Sequence, residues 1–366
     1  MQSSQYDLAV FGSTPLALYL AAMLAEDQSR RIVLIHNPAT RVRLLRGLDL
    51  SVGALTRPEA WRRLVEGTAE TLRRLGGAGL SGALEHCDIL MMRAGPPGRA
   101  ALGHVRAMAS AHGIAVERIA APANPAWDAV GRGAHALLIR DAWRFAGERG
   151  HDGFAAWHKK LGVERLARAG IEELLITRDG TVRMSVGGRR IAVDNSILAD
   201  DEAIHDHANA PDVSVGLRSQ VRTGFLTEPI AERLPGRVTV VLGEGFSLLQ
   251  RPGGALSAIG DGAGGPAAER LLRFLPMFEN ARLAGRAHFH SFDSRDGAPQ
   301  AGRGKTRRTS IVGGLGESGF FLAPSLARYL TGAASPEEKS FWAARALGRD
   351  GGPRVDELGA SLLGAA

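Results

Sequence analysis

Cysteine is nearly absent from this 366-residue chain, where Cys87 stands alone. A single thiol excludes an internal disulfide and points to a reducing, cytoplasmic compartment. Lysine is almost as scarce. Among 45 basic residues only Lys159, Lys160, Lys305 and Lys339 are lysines, and outside RGKTRR (residues 303–308) the arginines are dispersed. Nucleic acid needs a clustered basic stripe, so a net charge of +7 spread in this way argues against that partner. Aromatic residues make up 5% of the chain, which leaves Leu, Val, Ile and Ala to build the core. No apolar run approaches the ~20 residues of a membrane helix, and the start MQSSQYD lacks a signal peptide's basic region. No membrane is therefore expected. G-x-S-x-G, P-loop and C-x-x-C patterns are missing too, which leaves hydrolase, NTPase and dithiol chemistry without support.

What is present is an α/β pattern long enough for two subdomains. YDLAVFG predicts a buried strand, TPLALYLAAMLAE an apolar helix and RRIVLIHN a second strand. Such a βαβ unit predicts a parallel sheet. HCDILMMRAG (residues 86–95) predicts another strand. PPGRAALGHVRAMASAHG predicts a helix between proline start and glycine stop signals. WRFAGERGHDGFAAWHKKLG predicts a helical stretch ending near Gly162. From residue 171 the turns Asp179–Gly180 and Gly187–Gly188 separate alternating strands, a β-meander that NSILADD returns to the sheet. Residues 213–260 predict further antiparallel strands, residues 267–285 a helix, and RAHFHSFD a strand. Residues 309–332 predict strand, glycine turn and helix. SPEEKSFWAARALG predicts a last helix before a loose tail.

Two glycine turns carry the functional reading. Gly12-Ser13-Thr14-Pro15-Leu16-Ala17 follows the first strand. In a full G-x-G-x-x-G fingerprint the glycines serve the tight turn, the approach of a pyrophosphate, and helix–strand packing. Gly12 keeps the first role and Ala17 substitutes for the third, but Thr14 puts a Cβ where the pyrophosphate approaches. The Ser13 and Thr14 hydroxyls could donate to a phosphate, or simply cap the helix. The acidic residue that usually holds a ribose at the second strand's end is replaced by His36, followed by Asn37. The second turn, Gly314-Leu315-Gly316-Glu317-Ser318-Gly319, is a complete G-x-G-x-x-G before Phe320 and an apolar helix.

With these turns, the C-terminal run Asp296-Gly297-x-Pro299-x-x-Gly302, the strand, the second glycine turn and Ala323-Pro324 resemble the D-amino-acid oxidase, glycine oxidase and sarcosine oxidase group of FAD-dependent oxidoreductases. The resemblance spans about residues 6–331. It implies a Rossmann-like FAD-binding domain with parallel sheet and β-meander (residues 1–84, 151–205 and 296–332), an antiparallel-sheet substrate domain (85–150 and 206–295), and a C-terminal helix and tail (333–366). It implies FAD as cofactor. Gly12, Ser13, Thr14, Pro15, Leu16 and Ala17 would lie along its pyrophosphate, His36 and Asn37 near the ribose, Ile171 by the adenine, and residues 314–320 along the isoalloxazine. A helix N-terminus there would stabilise negative charge on reduced flavin. The implied reaction is oxidation of a C–N bond by hydride transfer to the flavin. The group's substrate-carboxylate arginine has no counterpart, because its slot holds Ser291; Arg286 and Arg295 are only near in sequence.

His288 and His290, two apart on a strand, and Arg295 are the candidate substrate contacts. His205 and His207 resemble a metal pair but lack a third ligand at a clear spacing, so no metal is expected. Cys87 suits a buried apolar role. Three readings stay open. One is an FAD enzyme acting on an amine or amino-acid-like substrate. Another is a non-catalytic or partner-dependent subunit with a degenerate cofactor site. The third is a flavoprotein acting on a peptide or protein-bound residue, its basic surface docking an acidic partner.

Overall fold

The computed structural model describes residues 6–349 apart from 39–43, 45, 54–56, 94, 120–134, 209–215, 232, 235, 243–244, 264–267, 270, 272–280, 295 and 305–307. Arg295, most of the helix expected at 267–285 and much of RGKTRR lie outside the described residues.

The first sheet is built around the N-terminal βαβ unit: β1 (Leu8–Phe11), α1 (Pro15–Gln28) and β2 (Ile32–His36). β1 pairs with β2, β6 (Glu164–Ala167) pairs with β2, and β10 (Ser196–Leu198) lies between β1 and β17 (Thr309–Gly313), all four pairings parallel. β16 (Gln300–Arg303) closes that edge antiparallel to β17. The six-stranded order is β16-β17-β10-β1-β2-β6.

Both faces of this sheet are covered, which is why its strands read as unbroken apolar runs. Leu8 and Val10 of β1 and Ile32 and Leu34 of β2 face the helices. On that side α1 packs with α2 (Pro58–Gly77), α4 (Glu148–Leu161) and α6 (Gly319–Thr331). Residues 18–24 of α1 are buried all round the helix. Ala9, Phe11, Val33 and Ile35 face the other way, against Val182, Met184, Ile191 and Val193. These belong to the three-stranded meander β7 (Glu173–Ile176), β8 (Val182–Val186) and β9 (Arg189–Val193). Gly180, Gly187 and Gly188 take the left-handed φ values that its tight turns require.

The second sheet has eight strands in the order β15-β11-β14-β13-β12-β3-β5-β4. In chain order they are β3 (Leu84–Arg93), β4 (Val116–Ile119), β5 (His135–Phe145), β11 (Leu217–Pro229), β12 (Val238–Val241), β13 (Phe246–Gln250), β14 (Ala255–Asp261) and β15 (Leu283–Ser294). It is antiparallel except where β12 meets β3. α3 (Gly95–Ala111) connects β3 to β4. The whole is the α/β architecture expected from the sequence.

Two local expectations need correction: residues 283–285 begin β15 rather than ending a helix, and the stretch from Trp143 begins as strand. Trp143, Arg144 and Phe145 are not helical. They end β5, held by pairing with Leu84, Glu85 and His86, and the helix starts only at Glu148. α2, unmarked by any motif, packs against α6 with Trp61, Leu64 and Leu75 buried. The short α5 (Asp201–His207) follows β10, and α7 (Pro336–Ala343) opens with a capping box between Ser335 and Glu338.

Candidate active site

β1, β10 and β17 are neighbours in the sheet and end at the same edge. The first glycine turn follows β1, Asp200 follows β10, and the second glycine turn follows β17. This carboxyl edge is where open α/β sheets receive ligands. A cavity of about 720 Å³ opens there. Ser13, Thr14, Pro15 and Leu16 line it from the first turn. Gly314, Leu315, Gly316, Glu317, Gly319 and Phe320 line it from the second. The eight-stranded sheet contributes Arg222, Phe289, Ser291 and Asp293.

In the first turn Gly12 has φ +150°, and a Cβ there would sit 2.6 Å from the Ala17 Cβ and 2.8 Å from Asp200 Oδ2. The protein itself fills the space beside this glycine. The Asp200 carboxylate is buried. Its Oδ2 accepts from the backbone N–H of Ser13 at 2.6 Å and of Thr14 at 3.1 Å, and its Oδ1 accepts from Ala203 N–H at 2.9 Å. One side chain thus caps α5 and fastens the turn before α1. Burial raises its pKa above the ordinary carboxylate value, against the opposing pull of these three backbone bonds. Pro15, at the first position of α1, has no N–H to offer. The Ser13 hydroxyl accepts from Asn37 N–H at 2.8 Å, and the buried Thr14 hydroxyl has no hydrogen-bond partner among the described residues. Of the two roles left open for these hydroxyls, capping of α1 is not seen: the N-cap residue Thr14 makes no side-chain cap, and its N–H bonds Asp200, 186 positions away.

In the second turn Gly314 and Gly316 have φ +67° and +51°. A 3₁₀ turn, Gly316–Ser318, leads into α6. Glu317 straps this turn to the segment before α2. Its carboxylate accepts from Leu48 N–H and its carbonyl from Leu50 N–H. Arg222 enters from β11. It lies opposite Phe289 in the β11–β15 register, so its side chain shares a face with Phe289 and Ser291. Its Nε donates to Asp261 at 2.9 Å, its Nη1 stands 3.6 Å from Glu317, and its buried Nη2 has no hydrogen-bond partner among the described residues. Two carboxyl groups of the lining are held near neutrality. Burial and repulsion from Glu317 push Asp49 up to about 7, against the attraction of Arg144. Burial and repulsion from Asp200 and Asp293 push Asp201 up to about 7.

The residues expected from the sequence are only partly brought together. Gly12, Ala17, His36, Asn37 and Ser318 stand outside the cavity lining. Asn37 lies 3.5 Å from Glu202, a carboxylate arriving from α5 rather than from the end of β2. Ile171 is buried in the apolar layer beneath the meander with Val33 and Ile35, not at the cavity wall. His288 is exposed and bonds Thr223 Oγ1 at 2.9 Å, away from the lining. His290 reaches the rim, where its ring stacks on His205 at 3.8 Å between centroids. His207 instead packs against Phe11, and no cluster able to hold a metal occurs among the described residues. Sequence reasoning missed Asp200, Asp49 and Arg222. Only Asp200 carried a signal, the acidic pair at the end of NSILADD.

Neither a protein-family model nor a curated protein sequence matches the chain. Solved structures do. Glycine oxidase from Geobacillus kaustophilus superposes with a TM-score of 0.68 at 14% identity, covering 96% of this chain and all (100%) of that one. The fold is that of glycine oxidase. L-proline dehydrogenase from P. horikoshii gives 0.67 at 15% identity, over 91% of this chain and 95% of the other. Iminodiacetate oxidase from Chelativorans sp. BNC1 gives 0.63 at 16%, over 89% and 94%.

The two ends of the cavity fit FAD differently. The second glycine turn leaves a helix N-terminus and an open wall, which suits an isoalloxazine edge. The first turn does not fit the diphosphate. Its two N–H groups already serve a carboxylate, its next residue is proline, and a second anion against Asp200 would be repelled.

Proposed function

We propose that this chain is a flavoenzyme-fold oxidoreductase subunit that acts on the C–N bond of an amine or amino-acid-like substrate together with another protein. The observation that carries the reading is the cavity itself. It lies between the two glycine turns and the eight-stranded sheet, in a fold shared with structures named as amine- and amino-acid-oxidising enzymes. The closed diphosphate cradle favours dependence on a partner over an autonomous enzyme.

Within that cavity the chain's own residues have defined tasks. Arg222 Nη2 offers a buried donor on the face that holds Ser291, so it can orient an anionic or carbonyl group of the substrate. A substrate amine must lose its proton before its C–N bond is oxidised. Asp49 and Asp201, with pKa values near 7, are partly ionised at neutral pH, and the ionised carboxylate can accept it. Phe289 and Phe320 supply apolar wall that excludes water. FAD would supply the electron sink when bound in the complex with the partner protein, and the complete second turn supports an isoalloxazine at that end. The proposed division is residues 1–84, 151–205 and 296–332 around the cofactor and 85–150 with 206–295 around the substrate.

The test is affinity purification of the tagged chain from its own cells, with and without a high-salt wash that strips partners. Turnover of a panel of glycine, sarcosine, L-proline and iminodiacetate is followed with an artificial electron acceptor. The proposal expects turnover in the complex and its loss from the stripped chain. Equal turnover by the stripped chain supplied with FAD would establish the autonomous enzyme instead. A complex that oxidises nothing in the panel would favour the non-catalytic role.

A further inference from the structure

We infer that Asp200 is a built-in substitute for the cofactor's diphosphate, so that this chain alone holds no FAD. A dinucleotide binds at such a turn because the first N–H groups of the helix have no partner within it and the helix dipole adds positive potential. Here the approach to the helix is already taken by an anion. Asp200 Oδ2 accepts from the N–H groups of Ser13 and Thr14, the two residues before α1, its carboxylate sits at the positive end of the dipole, and Pro15 removes the first helical donor. The carboxylate reaches the turn because β10 is inserted between β1 and β17, which puts its end beside Gly12. It is fixed there by its second oxygen, which caps α5 through Ala203. The side chain is therefore held on both sides by backbone, not free to swing away as a surface acid is. A diphosphate entering the turn must displace a buried anion, break two backbone bonds and leave that anion beside its own charge. The inference rests on the reading that this is the fold's cofactor cavity, and it adds that the cradle is closed by one identifiable group.

The experiment compares the full chain with Asp200→Asn and Asp200→Gly. Each is titrated with FAD at neutral pH, followed by flavin fluorescence, and flavin retention is measured after gel filtration. Circular dichroism and thermal melts confirm folding. Asparagine caps a helix as well as aspartate does, so Asp200→Asn keeps α5 while presenting an amide that cannot accept the Ser13 and Thr14 bonds in the same way. The expected result is no retained flavin for the natural chain and at least about tenfold tighter binding by a folded variant, the scale set by one backbone hydrogen bond released from competition. If Asp200→Gly does not fold, Asp200→Asn decides. One-to-one FAD retention by the natural chain overturns the inference and with it the dependence on a partner, and leaves the oxidoreductase reading intact. Folded variants that bind FAD no better than the natural chain overturn both the inference and the assignment of this turn as a cofactor cradle.

Discussion

Two carboxyl groups held near neutrality inside one cavity make the stability of this protein depend on pH in an unusual direction. Asp49 and Asp201 have folded-state pKa values near 7 against an ordinary 3.8. Their folded pKa is raised, so the folded state keeps a proton that the unfolded chain releases. Stability from this source is fully present below the ordinary value and is lost as pH rises toward 7. For one such group the loss between about pH 5 and pH 8 is about 2–3 kcal/mol. His158 works in the opposite direction. It is buried with Nε2 against the Leu18 carbonyl and pulled down to about 4, so its contribution is lost as pH falls from its ordinary 6.5. The two effects overlap below about pH 6.5, so a single stability curve would mix them. Asp49→Asn and Asp201→Asn separate them. Urea unfolding of each variant and of the natural chain across that pH range gives the difference directly. Each variant should gain about 2–3 kcal/mol relative to the natural chain as pH rises from 5 to 8. A difference that stays flat with pH would refute the raised folded-state pKa of these groups.

Three further outcomes follow from the packing. A Cβ on Gly67 of α2 would lie 2.1 Å from the Phe321 carbonyl oxygen of α6. Gly67→Ala should therefore destabilise by about 1–3 kcal/mol despite the ~1 kcal/mol helix-propensity gain, read as a lower urea midpoint with an unchanged slope. Arg328 joins three helices, donating to Glu70 at 2.7 and 2.8 Å and to Glu338 through its Nε at 3.0 Å. Arg328→Met should lower the melting temperature and cost about 3 kcal/mol, because the buried Glu338 loses its hydrogen-bonded cation and is left with the longer 3.6 Å pairing with Arg63. An unaltered melt would contradict that account. Cys87 is buried, and burial pushes its thiol up to about 11. It should resist a thiol reagent in the native protein and react on unfolding; rapid native labelling would count against this packing.

The parts of the fold legible in the sequence are those fixed by local chemistry. β1, α1 and β2 were legible because a doubly covered sheet makes continuous apolar strands, and the meander because paired glycines mark its turns. The C-terminal helix was legible from its Ser335-Pro336-Glu337 start, though it ends at Ala343 rather than near Gly348. α2 was harder, since its charged surface hides the spacing of Trp61, Leu64, Thr71 and Leu75. Trp143–Phe145 has no local signal for a strand; β3 imposes it from about 60 residues away. The site divides the same way. Both glycine turns were visible as patterns. What occupies the first was not, because the Asp200 contact to Ser13 spans 187 positions and depends on strand order. Arg222 likewise becomes a cavity residue only through the register that sets β11 against β15.

The most direct test of the central claim is the visible spectrum of the isolated full chain after incubation with excess FAD and gel filtration. With Asp200 in the diphosphate cradle, the protein should elute without flavin bands. Flavin absorbance eluting with the protein at one equivalent would contradict the account and show that the first glycine turn receives a dinucleotide after all.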